Sequence, residues 1–329
     1  MSRRELAACG LVLASAAVPA RAASYLFYFE LQGVAGYSTA AKNVVYSSMN
    51  AMETMQKPSL GFDYVQRFSG ASGDVAILAV QGRLAYDPDG DPKVEPQLYN
   101  AYLKFKTRAL DIWVGHNRPK FGLSASLDNH ATLLQPMAMS GFGFDRDWGL
   151  GFERDFADGS LGLSVTTGSG MSLRLKNSYL VAGRVTRGVL ERDNSVIGLS
   201  AALGRTLDVM GYHLMSEVPV SFAMGGFDFT WLTNSWENRI ELLGGSRDGA
   251  SAFALFWRTG IGLLPENRLK LEAQPVAIIA KGKTRVQFAA GATYLAGADW
   301  TFRVMYAYDQ DLKDSRFIVQ VYYYKGIRF

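Results

Sequence analysis

Asp299-Trp300-Thr301-Phe302-Arg303-Val304-Met305-Tyr306-Ala307-Tyr308-Asp309, a polar turn through Gln310 to Ser315, and Arg316-Phe317-Ile318-Val319-Gln320-Val321-Tyr322-Tyr323-Tyr324-Lys325-Gly326-Ile327-Arg328-Phe329 end the chain. A strand has period two, so Trp300, Phe302, Val304, Tyr306 and Tyr308 share one face, and Thr301, Arg303, Met305, Ala307 and Asp309 share the other. One face suits lipid and the other suits water. Counting back from Phe329, the last strand presents Ile327, Lys325, Tyr323, Val321, Val319 and Phe317 on its apolar face, with Lys325 close enough to the end to snorkel. A chain that finishes on an amphipathic strand with a terminal Phe is built as an outer-membrane barrel is, and Phe329 is the expected signal to the barrel-assembly machinery.

The other terminus fits this reading. Arg3 and Arg4 precede an apolar run from Leu6 to Val18, and Pro19-Ala20-Arg21-Ala22 supplies a small-residue cleavage site, the pattern of a secretory signal peptide over residues 1–22. Leu6-Ala7-Ala8-Cys9 is not a lipoprotein box, because it lies before the apolar run. No stretch is apolar for the 18 or so residues a membrane helix needs. Cys9 is the only cysteine, so residues 23–329 hold no disulfide, thiol nucleophile or thiolate metal site. Removing Arg3, Arg4, Arg21 and Glu5 from 34 basic and 30 acidic residues leaves 31 and 29, too balanced for a nucleic-acid binder.

Segments rich in Tyr, Phe, Val and Gly recur between turn signals. They predict strands at 25–37, 58–69, 74–87, 96–106, 110–117, 147–157, 159–168, 177–187, 194–204, 219–232, 236–246, 250–262, 267–280, 283–296, 299–309 and 315–329. Sixteen is even, as a barrel with both termini in the periplasm requires. Asp208 to Ser216 would be a seventeenth, so 205–218 is assigned to an outer loop with 38–57, 88–95 and 118–146. The alternation puts Tyr99, Leu103, Phe105, Leu161, Leu163, Val165, Leu242, Leu271 and Phe288 toward lipid. It puts Lys104, Lys106, Arg184, Arg239, Arg268, Lys270, Arg285 and Arg303 in the lumen, with Asp111, Glu153, Asp228, Glu241 and Glu272. A charge at the lipid-facing midplane costs about 2–4 kcal/mol, which explains the segregation.

A sixteen-stranded barrel encloses water, so something must narrow it. The longest unpatterned segment, Arg118 to Arg146, is expected to fold inward as the constriction. Trp113-Val114-Gly115-His116-Asn117-Arg118-Pro119-Lys120-Phe121-Gly122-Leu123 resembles the strand-to-loop passage of the phosphate-selective porin O and P family. Phe144-Asp145-Arg146-Asp147-Trp148-Gly149-Leu150 resembles that family's return into the next strand, and Ala182-Gly183-Arg184-Val185-Thr186 its Ala-Gly-Arg-Leu-Thr strand. The likeness runs over roughly residues 58–329. It implies a sixteen-stranded, trimeric channel embedded in outer-membrane lipids, with His116, Arg118, Lys120 and Arg146 at the constriction. The family's rows of lumen Arg and Lys are thinner here, because Asp128, Asp145 and Asp147 oppose the loop's bases.

Other motifs carry less. Asp87-Pro88-Asp89-Gly90-Asp91 departs from a calcium loop, with its glycine early and Leu98 where a bidentate Glu is needed. Gly282-Lys283-Thr284 lacks the upstream glycine of a phosphate loop, since Ala277 stands there. No Gly-x-Ser-x-Gly occurs, and the His213 and Ser216 pair is the remaining trace of a lipid-cleaving barrel. No metal or cofactor is expected. The function expected is a passive channel for small hydrophilic solutes with a mild anion preference. An outer-membrane enzyme acting on lipids and a structural or adhesive barrel with a blocked lumen are the competing readings.

Overall fold

The computed structural model describes residues 22–49, 56–71, 73–128 and 130–327; the expected signal peptide apart from its last residue, Ala22, and the terminal Phe329 lie outside them. Sixteen antiparallel strands close into a barrel: β1 Ala22–Ser38, β3 Ser59–Gly70, β4 Gly73–Tyr86, β5 Val94–Lys106, β6 Asp111–Asn117, β7 Asp147–Phe156, β8 Gly159–Thr166, β9 Tyr179–Arg187, β10 Ser195–Met210, β11 His213–Thr233, β12 Trp236–Arg247, β13 Ala250–Leu263, β14 Leu269–Ala280, β15 Lys283–Leu295, β16 Trp300–Asp309 and β17 Asp314–Ile327. A three-residue strand, β2 Asn43–Val45, pairs with the end of β1 in the first loop and crosses nothing. Closure runs from Phe27 opposite Ile327 to Ser38 opposite Arg316, so the last strand pairs with the first. In lipid this closure gives every strand two partners and leaves no unpaired edge.

The amphipathic pattern sorts as expected. On β17, Phe317 and Val319 are exposed on the outer face while Ile318, Gln320 and Tyr322 are buried inside. Leu161, Leu163 and Val165 on β8, Leu242 on β12 and Phe288 on β15 likewise face out. Lys325 meets Asp299 at 3.8 Å at the inner rim. No helix among the described residues is long and apolar enough to cross a membrane, so strands alone can do so.

Two expectations fail for identifiable reasons. Residues 205–218 do not form a loop. They extend β10 and β11 to Met210 and His213, joined by a turn at Gly211 and Tyr212. A register shift between Thr206 and Asp208 disturbs the alternation without ending the strand, and it conceals the extension in the sequence. Tyr99 does not face lipid. Gln81 pairs with Asn100 while Gly82 pairs with Leu98, which makes Tyr99 the extra residue of a bulge and turns its ring fully inward.

The connections divide the two ends of the barrel. By strand direction, segments 39–58, 87–93, 118–146 and 167–178 share the end opposite the termini, called outer below. Beyond β9 the outer connections are tight. Asp248-Gly249 and Lys281-Gly282 each place both residues at positive φ, 56° and 72° and then 51° and 73°, the backbone of a type I′ hairpin. The long outer connections all fall between β1 and β9.

Candidate functional site: the lumen loop and the passage beside it

Segment 118–146 folds into the barrel. Its start is sewn to the wall through backbone donors: Lys120 N–H to Ser164 Oγ (3.0 Å), Gly122 N–H to Ser200 Oγ (3.1 Å) and Leu123 N–H to Glu241 Oε1 (2.6 Å). Further along, Leu134 O accepts from Arg258 (3.0 Å), Gln135 O from Gln274 (2.9 Å) and Gly141 O from Arg247 (3.3 Å). His130 reaches the opposite wall at Glu30 and takes a bond from Gln56 to its carbonyl (3.0 Å). These anchors supply partners for loop backbone that would otherwise lie unsatisfied inside the barrel.

Apolar burial does the rest. Phe121, Leu123, Leu127, Met137 and Phe142 pack on Leu180, Ala202, Phe222, Leu243 and Phe256, all from inward positions of β9 to β13. A wide barrel would hold water at these inner-wall positions, and the loop dries them. Two further contacts hold it: Leu133 and Leu134 sit on Val34, Met305 and Ile318, and Met139 sits with Tyr99 and Met171.

Of the four residues expected at the constriction, Arg118, Lys120 and Arg146 are instead the loop's fastenings, and His116 is packed within the wall. Arg118 pairs with Asp128 at 2.8 Å, and Arg146 lies 3.8 Å from the same carboxylate, so one acid ties both ends of the loop. Arg146 is 1% exposed, pairs with Asp145 at 3.0 Å, bonds Asn100 and lies 4.4 Å above the Tyr99 ring, so it faces no open water. Lys120 and Lys104 both reach Glu153, each at 2.5 Å. His116 is neither at the rim nor in the pore. It is fully buried and stacked on Trp148 at 4.9 Å.

Burial raises the Asp128 carboxyl, but Arg118 and Arg146 outweigh that effect and hold it below its usual range. Lys120 is pushed down by burial more than Glu153 restores it.

Of the remaining expected lumen residues, Asp228 and Glu241 point inward but are buried, with Arg184 on Asp228 at 2.6 Å and Glu241 under Leu123. Lys106 and Asp111 face each other across the β5 to β6 hairpin at the inner end. Arg268 is not on a lumen wall. A 3-10 turn, Pro265–Asn267, breaks the alternation just before it, and its guanidinium bonds Leu295 O and lies 5.8 Å from the Tyr294 ring on the lipid face.

Open space runs between the loop and β12 to β17. At the inner side is a cavity of about 330 Å³ bounded by Arg239, Arg258, Lys270 and Arg303 and by Asp128, Glu237 and Glu272. At the outer side a cavity of about 540 Å³ is bounded by Arg247, Lys281, Lys283 and Arg285 and by Asp208, Asp248 and Asp311. Lys270 is held by Glu237 and Glu272 at 3.1 and 2.9 Å, and Arg239 pairs with Glu237. Arg258 bonds Gln274 Oε1 and Leu134 O, and Arg303 bonds Gln320; among the described residues neither is in an ion pair. Arg258 was missed in the sequence, although Phe253, Leu255 and Trp257 fix the outward face of β13 and leave it inside.

No family model matches the sequence, and no curated protein matches it. Solved structures do. OmpT, an outer membrane protein of Vibrio cholerae, superposes in its trimer form with a TM-score of 0.67 at 11% identity, over 92% of this chain and 100% of that one. The anion-selective porin from Comamonas acidovorans gives 0.63 at 11%, over 93% and 100%. The outer membrane channel DcaP of Acinetobacter baumannii gives 0.61 at 13%, over 92% and 97%. The chain has the porin fold. At these identities the likeness concerns the barrel, and what this porin-fold barrel does must come from its own lumen.

Proposed function

We propose that the protein is an outer-membrane diffusion channel for small solutes with a mild preference for anions, assembled as a trimer. The observation that carries this reading is the passage left beside the inserted loop, whose inner cavity offers four cations against three carboxylates. Arg258 and Arg303 are the two that form no ion pair among the described residues, and in this reading they set the preference in place of the residues expected at the constriction. Phosphate selectivity, as in the family that the loop motifs resemble, has weaker support, because most lumen bases are spent on acids. The anion-selective porin and the trimeric outer membrane protein of the same fold agree with the reading.

The lipid-cleaving alternative finds little support in the histidines. His116 and His130 are buried inside the barrel, and Ser216 Oγ accepts the Val218 N–H. Planar bilayers provide the test. Stepwise current with a reversal potential of anionic sign in a salt gradient is expected, and Arg258→Ala with Arg303→Ala should move that potential toward zero. Correctly folded protein that never conducts would overturn the channel reading.

A further inference from the structure

From the outer to the inner end, the lumen-facing residues of β16 are Asp309, Ala307, Met305 and Arg303. On β15 they are Arg285, Gln287, Ala289 and then Gly291, and on β14 they are Val276, Gln274, Glu272 and Lys270. Charge at both ends gives way to an apolar belt midway. Leu133, Leu134, Pro136, Met137 and Met139 of the loop face this belt and leave a slit of about 60 Å³. Leu133, Leu134 and Met305 border both the slit and the inner cavity, so the seam between them is two leucines resting on a methionine.

The slit is also lined toward its outer side by Asp309, Asp314 and Arg316, where Asp309 pairs with Arg285 and Arg316 with Asp314, and the amides beside it are engaged. Gln274 donates to Gln135 O and accepts from Arg258, while Gln287 donates to Asp309. A space of that size holds roughly four to six waters at about 10–15 Å³ each, with no room for an ion together with its full hydration shell. At the seam of Leu133, Leu134 and Met305 an ion would give up water without gaining a partner, a cost that hydrophobic constrictions use to block current by dewetting.

We infer that the seam of Leu133, Leu134 and Met305 is an apolar gate: it slows hydrated ions of either sign, leaves the mild anion preference to the charged cavities, and favours solutes carrying an apolar flank. The inference rests on the channel reading and deepens it, since the charged cavities at either end then gather solute while the belt selects. The loop motifs gave no hint of it, because the gate forms only where loop leucines meet a strand methionine across the lumen.

Two measurements test the gate on the folded barrel, with folding verified for each variant by heat-modifiable migration in detergent gels. In planar bilayers with potassium chloride, the unaltered channel should conduct weakly. Leu134→Ser and Met305→Ser, which wet the seam without adding charge, should raise conductance on the order of tenfold, equivalent to about 1.4 kcal/mol off the barrier. High conductance in the parent, or none gained in the serine variants, overturns the gate while leaving the channel. Silence from parent and variants alike overturns both.

The second measurement uses Leu134→Cys, whose thiol is alone once the leader with Cys9 is gone. A neutral maleimide should modify it faster than cationic or anionic thiosulfonates of similar size, each rate being taken relative to the same reagent on a free thiol. Equal relative rates would refute the exclusion of charge.

Discussion

Glu153 is the most exacting test of how the loop is held. Its carboxylate receives Lys104 from β5 and Lys120 from the loop, each at 2.5 Å, and Glu153, Lys104 and Lys120 are 20%, 20% and 16% exposed. Pairs on an open surface contribute about 0–1 kcal/mol, and removing one partner from a fully buried pair costs about 3–5. With four-fifths of each group covered, Glu153→Gln should cost about 1–3 kcal/mol, since it leaves two ammonium groups side by side without a counter-charge. Part of this cost is the penalty of the stranded lysines, so the decisive quantity is the coupling.

Urea unfolding of the barrel in lipid vesicles, followed by tryptophan fluorescence, supplies it through the cycle of Glu153→Gln, Lys120→Met and the double variant. A coupling above about 0.5 kcal/mol is expected for groups in direct contact. If Lys120→Met costs the same with and without Glu153, the lysine is not holding the loop to β7 and the account of the fastening fails.

Other outcomes follow from the same geometry. Arg118→Ala combined with Asp128→Asn should leave the reversal potential unchanged while loosening the loop, because the two charges are spent on each other; a drop in anion preference equal to that of Arg303→Ala would return Arg118 to the pore. Asp128, with its carboxyl held below the usual range, contributes stability present above its unfolded value near 3.9 and lost as pH falls through the lower folded one. Hydrogen-exchange protection across residues 119–145, taken relative to the intrinsic amide rate at each pH, should therefore hold at pH 5 and fall only below about pH 4, whereas Asp128→Asn should lower it at neutral pH. Protection that falls already between pH 5 and 6 would point to another group. Gly151 lies under the Trp113 ring with no room for a Cβ, so Gly151→Val should prevent or markedly slow barrel folding in vesicles; wild-type refolding would show that the indole can move aside.

Much of this protein was legible in one dimension. Alternation in the last two strands implied a lipid face and a water face, parity settled the strand count, and the length of 118–146 marked the inserted segment. These are local properties, because a strand's period and a turn's chemistry depend on neighbours in sequence. The failures have local causes too: a bulge at Tyr99 reverses the faces beside it, a register shift hides the β10 to β11 extension, and a 3-10 turn removes Arg268 from the lumen. The roles inside the barrel were decided elsewhere. Whether Arg118, Lys120 and Arg146 face solute or fasten the loop depends on Asp128, Asp145 and Glu153 meeting them across the fold. The apolar seam exists only because closure brings Met305 opposite Leu133 and Leu134. Sequence alone determined that there would be a wall and something within it; the tertiary structure decided which side chains remain for a passing solute, since an ion pair or a dry contact belongs to two distant residues and is written in neither.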